Sequence, residues 1–308
     1  MTTQLVSPQT SALITTDTPA PRLRRPFGRW FRETGWRHLI GIVMLVFAGF
    51  PLVYVLSASL NPGGTLLSTN GLFSKISLEN YVQLFQDPSR PYGAWFLNTI
   101  FIGVLASVFS VFLCALAAYA FSRMRFTGRR FGLITIVVVQ MFPQLLAVVA
   151  IFLLLSAISD WFPAIGLDTR IGLILVYLGG ALGVNTYLMY GFFNTIPVSI
   201  DEAAKIDGAS HVRVFFTIIL RLVAPILAVV ALLSFIGSVN EFVVASVVLI
   251  DTDNQTLAVG LTKLVSNPRY ADWSAFSAGA VMAALPVVAL FLFLQKYIVG
   301  GLTAGAVK

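Results

Sequence analysis

The chain has 308 residues, 57% hydrophobic and 11% charged, with a mean hydropathy of +0.87 and a formal charge of +7. A soluble domain carries about 25% charged residues, so this composition excludes a soluble globular protein and indicates an integral membrane one. In such a chain the placement of cations matters more than their sum, and nucleic acid is not expected as a partner. A single cysteine, Cys114, rules out an intrachain disulfide and a cysteine-based metal cluster. His38 and His211 lie far apart at expected membrane edges, where they read as interfacial side chains and not as a metal pair.

Residues 1 to 21 are rich in Ser, Thr and Pro with one charge, Asp17, and read as disordered. With the arginines that follow (Arg22, Arg24, Arg25, Arg29, Arg32, Arg37) they make an expected cytoplasmic tail over residues 1–38. Residues 39–60 form an apolar run about 33 Å long as a helix, enough to cross a bilayer and too long for a cleaved signal peptide. Five more spans are expected at 94–121, 131–156, 171–193, 222–250 and 275–299. The membrane-spanning body of the chain is thus 39–299, and 300–308 is a C-terminal tail. The fold class expected is all-α, with six transmembrane helices.

With the N-terminus in the cytoplasm, fifteen of the twenty Lys and Arg fall on inner segments and five on outer ones (Lys75, Arg90, Arg170, Lys263, Arg269). This asymmetry predicts an N-in, C-in topology. It also puts the polar stretch between spans four and five, residues 196–225, inside. There Ser199 and Glu202 have the Ser-x-x-Glu spacing of a capping box, which predicts a helix over residues 200–207 that stops at Asp207-Gly208. Ala203 and Ala204 leave little bulk on that helix, so another protein's surface could approach closely. A second helix is expected from about Ser210. On periodicity alone the stretch could equally be an amphipathic loop helix lying on the membrane.

Within the spans, Glu241 is the sole acidic residue, next to Asn240, and intramembrane charge is costly. It could line a wet pathway, pair with a partner subunit, or mark a place where span five bends or ends early. Gln140, Pro143 and Gln144 interrupt span three, and Pro143 frees a backbone carbonyl that something must satisfy. Gln140, Asn185, Asn240 and Glu241 are therefore the candidate substrate path, with interhelical bonding as the alternative use of Gln140 and Asn185. The outer stretch 251–273 is long for a connector. No internal repeat suggests two inverted halves.

Glu202-Ala203-Ala204-Lys205-Ile206-Asp207-Gly208-Ala209, followed at the right distances by Ile218 and Leu220, resembles the EAA loop of ATP-binding-cassette importer permeases. Arg221 stands where that signature has proline. Pro225, Ser234-Phe235-Ile236, Gln255-Thr256-Leu257-Ala258-Val259-Gly260, Ala283-Ala284-Leu285-Pro286 and the ending from Gly301 to Lys308 are similar to the smaller permease of maltose and maltodextrin importers, the MalG type, within the binding-protein-dependent sugar importer family.

The resemblance implies a multi-pass permease of a prokaryotic cytoplasmic (inner) membrane, surrounded by lipid, that moves maltose or malto-oligosaccharides by alternating access. Trehalose or another oligosaccharide is the alternative cargo. Its implied partners are a second related permease, a homodimeric cytoplasmic ATPase that uses ATP and Mg, and an extracytoplasmic sugar-binding protein facing residues 251–273. Coupling to the ATPase falls on Glu202, Ala203, Ala204, Asp207 and Gly208. An ATPase-contacting tail falls on Gly301, Leu302, Thr303, Ala304 and Gly305. The chain itself is expected to bind no cofactor or metal and not to be an enzyme, because it has no Gly-x-x-x-x-Gly-Lys-Ser/Thr loop to cradle phosphates. An ion-gradient transporter using Glu241 as a proton site is the competing class. An intramembrane hydrolase would need paired catalytic groups at membrane depth, which the sequence does not offer.

Overall fold

A computed structural model of the chain describes residues 31–65 and 71–304. The expected disordered segment and its first four arginines, and Gly305 of the tail, lie outside the described residues. Every element among the described residues is helical. The chain divides into two compact units at Pro51 and Leu52, a point inside its first helix.

The first unit holds a π turn, Phe31–Gly35, and the start of α1 (Trp36–Ser59). Leu39, Val43, Leu45 and Phe47 are exposed, as expected of a helix whose solvent is lipid.

In the second unit, the segment between the first and second expected spans is not a plain connector. It contains α2 (Glu79–Gln86), whose Asn80 donates to the carbonyls of Ser59 and Asn61 at 2.8 and 3.0 Å. Next comes α3 (Tyr92–Arg123), 32 residues and about 48 Å long. It is the one helix that joins all three buried apolar clusters. Tyr92 and Trp95 enter the first, Ile102 and Ala106 the second, and Cys114, Ala115, Ala118 and Tyr119 the third.

The expected third span is two helices, α4 (Arg129–Val139) and α5 (Gln144–Ser159), which meet at 95°. Pro143 is the cause, since it lacks the N–H that would continue the ladder and biases the residue before it away from helix. The fourth expected span is also broken, into α6 (Arg170–Ala181) and α7 (Val184–Phe193), at 53°. Gly179, Gly180 and Gly183 surround this break, and each glycine weakens a helix interior by about 1 kcal/mol.

After these come α8 (Val198–Ile206) and α9 (His211–Leu222), the latter with a π segment at Phe215–Ile219. The expected fifth span, 222–250, is not one helix. α10 (Ala224–Asn240) meets α9 at 79° and ends at Glu241, and a short α11 (Val243–Val248) follows. The long outer segment contains α12 (Leu257–Val265), with Leu257, Val259, Leu261 and Leu264 buried. The last helix, α13 (Trp273–Ala304), continues past the expected span end at 299, so Gly301 to Ala304 are helical.

Among the described residues, three segments are long and apolar enough to cross a membrane unaided: Phe31–Ser59, Tyr92–Arg123 and Trp273–Ile298. The three bent pairs bring the number to six if each crosses as one span.

Candidate functional site

α8 begins earlier than the capping-box spacing implies. Its N-cap is Pro197, no side chain caps it, and Ser199 and Glu202 both lie inside the helix. The expected box is therefore absent. Pro197 has already turned the chain, so the helix starts at Val198, two residues before the box would act. The end agrees with the sequence. Gly208 has φ +77°, its N–H reaches the Lys205 carbonyl at 3.0 Å, and the Ala209 N–H reaches the Ala204 carbonyl at 2.9 Å. This pair of bonds is a Schellman stop, which glycine enters without a Cβ penalty. Ser210 then caps α9, its hydroxyl accepting from the Arg213 N–H at 3.3 Å.

The two faces of α8 differ. Asp201 and Ala204 are buried against the chain's own core, at 3% and 7% exposure. Ala204 is thus not open to another protein, contrary to the expectation that both alanines are. It packs in a cluster with Ala118 and Tyr119 of α3 and Val214 and Phe215 of α9. The outward face carries Val198, Glu202, Ala203 and Ile206. Ile206 is 87% exposed, the most exposed large apolar side chain among the described residues. The sequence reading counted it only as a helix position, although an isoleucine in so polar a segment was a signal. Asp207 is exposed at the helix stop.

A second feature was also missed. Arg123, at the last turn of α3, donates from Nη2 to the Ile196 carbonyl at 2.9 Å. Its Nε lies 2.9 Å from Asp201 Oδ2, and both side chains are 5% exposed. Opposite charges so far apart in sequence leave no local signature.

Three of the four candidate path residues come together. Gln140, Asn185 and Glu241 line one cavity of ≈ 900 Å³ with Tyr177 and Ser234, whereas Asn240 is exposed and does not line it. Each of the three bonds to its own chain. Gln140 donates from Nε2 to the Gly180 carbonyl at 2.6 Å and accepts at Oε1 from the Val184 N–H at 2.9 Å, so it bridges the break between α6 and α7. Asn185 donates to Ser234 Oγ at 3.2 Å, and Ser234 Oγ lies 3.3 Å from Ser110 Oγ, which joins α7, α10 and α3. Glu241 accepts from the N–H groups of Val244 and Ala245 at 2.8 and 2.9 Å and from Tyr177 Oη at 2.9 Å. Its side chain takes up two free N–H groups in the first turn of α11, just where α10 stops.

At the expected outer end, Trp95 Nε1 donates to the Thr252 carbonyl at 2.7 Å and Asn98 Nδ2 to that of Asp253 at 2.7 Å. Asp168, at φ +59°, accepts from the N–H groups of Ile250 and Asp251 at 2.8 and 3.0 Å. The long outer segment is thus clasped at its start and buried through α12, leaving Ser266 to Tyr270 exposed as its tip.

Residues 110–303 match the family described as binding-protein-dependent transport system inner membrane component, a region that includes α8, the cavity wall and α12. The chain belongs to that family. Among curated members it is 40% identical over 276 residues to the galactooligosaccharides transport system permease protein GanQ of Bacillus subtilis (strain 168), covering 88% of this chain and 94% of that one. It is 38% identical over 281 residues to the maltose/maltodextrin transport system permease protein MalG of Escherichia coli (strain K12), covering 88% and 94%. Among solved structures, a chain of a bacterial ABC transporter involved in the import of the acidic polysaccharide alginate superposes with a TM-score of 0.70 at 26% identity, over 89% of this chain and 99% of that one. Membership makes this all-helical chain an inner-membrane transport component.

Proposed function

We propose that the chain is a permease subunit of an ATP-driven importer that carries an oligosaccharide inward by alternating access. The spans are six with both termini inside, three of them the bent pairs. α8 is the coupling helix, docked in a groove of a homodimeric cytoplasmic ATPase that binds ATP and Mg. A second related permease completes the pathway, and a sugar-binding protein docks outside against the Ser266–Tyr270 tip.

The observation that carries this reading is the outward face of α8. Ile206 stands out at 87% exposure on a face shared with Val198, Ala203 and Glu202, two apolar knobs, a flat spot and a charge in one patch. Exposed apolar side chains flanked by Glu202 and Lys205 give the mixed apolar and charged make-up of an interface patch. Malto-oligosaccharide is the proposed cargo. A galacto-oligosaccharide is the second reading, favoured by the GanQ likeness. The path runs through the ≈ 900 Å³ cavity, where Gln140, Asn185 and Glu241 brace the wall.

Purification of the complex in detergent and reconstitution with the sugar-binding protein tests the reading. ATP hydrolysis should rise with malto-oligosaccharide and less with other sugars. Ile206→Ser and Glu202→Gln should each weaken ATPase association while the chain still reaches the membrane. A complex that forms equally well with both variants would remove the docking face from α8.

A further inference from the structure

The coupling helix is attached to its own chain by a contact that neither the family signature nor the docking face requires. Arg123 closes α3, and its guanidinium holds two parts of the α8 region: the Ile196 carbonyl just before the helix and Asp201 in its first turn. The charges suit both helix ends, a cation at the C-terminus of α3 and an anion near the N-terminus of α8. Yet both are buried, and neither Asp201 oxygen has an aligned hydrogen-bond donor. A buried pair held this way adds little net stability, because desolvation offsets the attraction. What it does fix is position: the carboxylate cannot leave the guanidinium without stranding a buried charge.

α3 also reaches the cavity. Ser110, on the same helix, meets Ser234, which takes the Asn185 amide, so the helix that ends at Arg123 carries a polar wall of the cavity about 20 Å above it. Ala118, Tyr119 and Ala204 belong to one buried cluster that also draws on α7 and α9, so shared apolar packing as well as the charge pair links α8 to α3.

We propose that the Arg123–Asp201 pair makes α8 and α3 move as one body. The stroke of the coupling helix would thus enter the cavity wall through α3, in addition to the chain-adjacent helices α7 and α9. Arg123 and Asp201 are positioning residues in this scheme. The inference rests on the reading of α8 as the coupling helix.

The test uses the whole reconstituted complex with Asp201→Asn, Arg123→Gln and the double variant. The readouts are ATPase association and sugar transported per ATP hydrolysed. The expected result is normal association, with transport per ATP lower by about tenfold in each single variant, a size typical of a broken coupling contact. The double variant should be no worse than either single, since all three lose the same pair.

Wild-type transport per ATP in Asp201→Asn overturns the proposal. So does a double variant whose losses multiply, or a loss of transport that only tracks lost association. If Ile206→Ser and Glu202→Gln leave association intact, it is the coupling-helix reading that fails, whatever the pair does. A measurement free of pair variants guards against misfolding. Spin labels at Leu116 on α3 and Asp207 at the end of α8 should keep a constant separation through the ATP cycle. A separation that changes between nucleotide states overturns the rigid attachment.

Discussion

Tyr177 Oη donates a 2.9 Å hydrogen bond to Oε2 of Glu241, and so ties α6 to the break between α10 and α11. Together with the Val244 and Ala245 N–H groups it gives the carboxylate three donors from its own chain. Glu241→Gln replaces one accepting oxygen by an NH2 group and leaves at least one of these donors unpaired. It should cost about 1–3 kcal/mol, and Tyr177→Phe less, about 0.5–1.5 kcal/mol. Thermal unfolding in detergent checks the order. Uptake by Glu241→Gln should fall and stay ATP-driven. Uptake that stops when the proton gradient is collapsed at constant ATP would favour the ion-coupled class instead.

The Gln140 bridge gives a second expectation. Gln140→Leu strands the Gly180 carbonyl and the Val184 N–H at the α6–α7 break, each worth about 1–3 kcal/mol when left unmade. A Cβ at Gly183 would collide with the Gln140 side chain, so Gly183→Ala should break the same bridge from the other side. The two losses act through one contact and should not add in the double variant. Additive shifts of the unfolding midpoint would show that Gly183 matters for some other reason.

Two serines separate the two possible starts near α8 and α9. Ser199 caps nothing, so Ser199→Ala should change stability by less than about 0.5 kcal/mol. Ser210 caps α9, so Ser210→Ala should cost about 1 kcal/mol. A costly Ser199→Ala beside a neutral Ser210→Ala would reinstate the capping box and push the helix start to residue 200.

Particular residues show what the sequence could and could not tell. The stop at Gly208 and the cap at Ser210 were legible because turn chemistry is local. Ser-x-x-Glu misled because Pro197 had already set the start two residues earlier, and a spacing pattern carries no information on which start wins. The break at Pro143 was legible. The break at 181–183 was not read, though Gly179, Gly180 and Gly183 announced it. Glu241 stood out as a charge among apolar residues, but the donors that satisfy it exist only once α10 has stopped, and hydropathy runs smoothly across that point. Which alanine of α8 faces inward is set by the buried cluster that Ala204 joins with α3, α7 and α9, and the members from α3 and α7 lie outside the stretch 196–225.

Cysteine labelling tests the topology. Ser266 and Lys205 are both exposed in the chain, and Cys114 is buried. In intact cells an impermeant thiol reagent should modify Ser266→Cys and spare Lys205→Cys, which should react only after the cells are opened. Reaction of Lys205→Cys from outside would invert the orientation drawn from the distribution of Lys and Arg.

Gly208 decides whether the stretch from α8 to α9 works as read. Its φ of +77° lies in the left-handed region, and nothing lies within 4 Å of where a Cβ would sit. Substitution there meets strain and not collision. Gly208→Ala should cost about 1 kcal/mol, and Gly208→Asn less, since asparagine tolerates this region. Proline is different in kind. Its ring fixes φ near −65°, and it removes the N–H that bonds the Lys205 carbonyl. Gly208→Pro must therefore send α9 off in another direction, although Val214, Phe215 and Ile219 are buried in the cluster that also holds Ala204. The expected series in proteoliposomes is near-normal transport per ATP for Asn and Ala, and hydrolysis without transport for Pro. Equal loss in all three would mean that Gly208 is needed for close approach to a partner and not for its backbone angle. Wild-type transport by Gly208→Pro would remove the basis for assigning α8 and α9 a part in coupling.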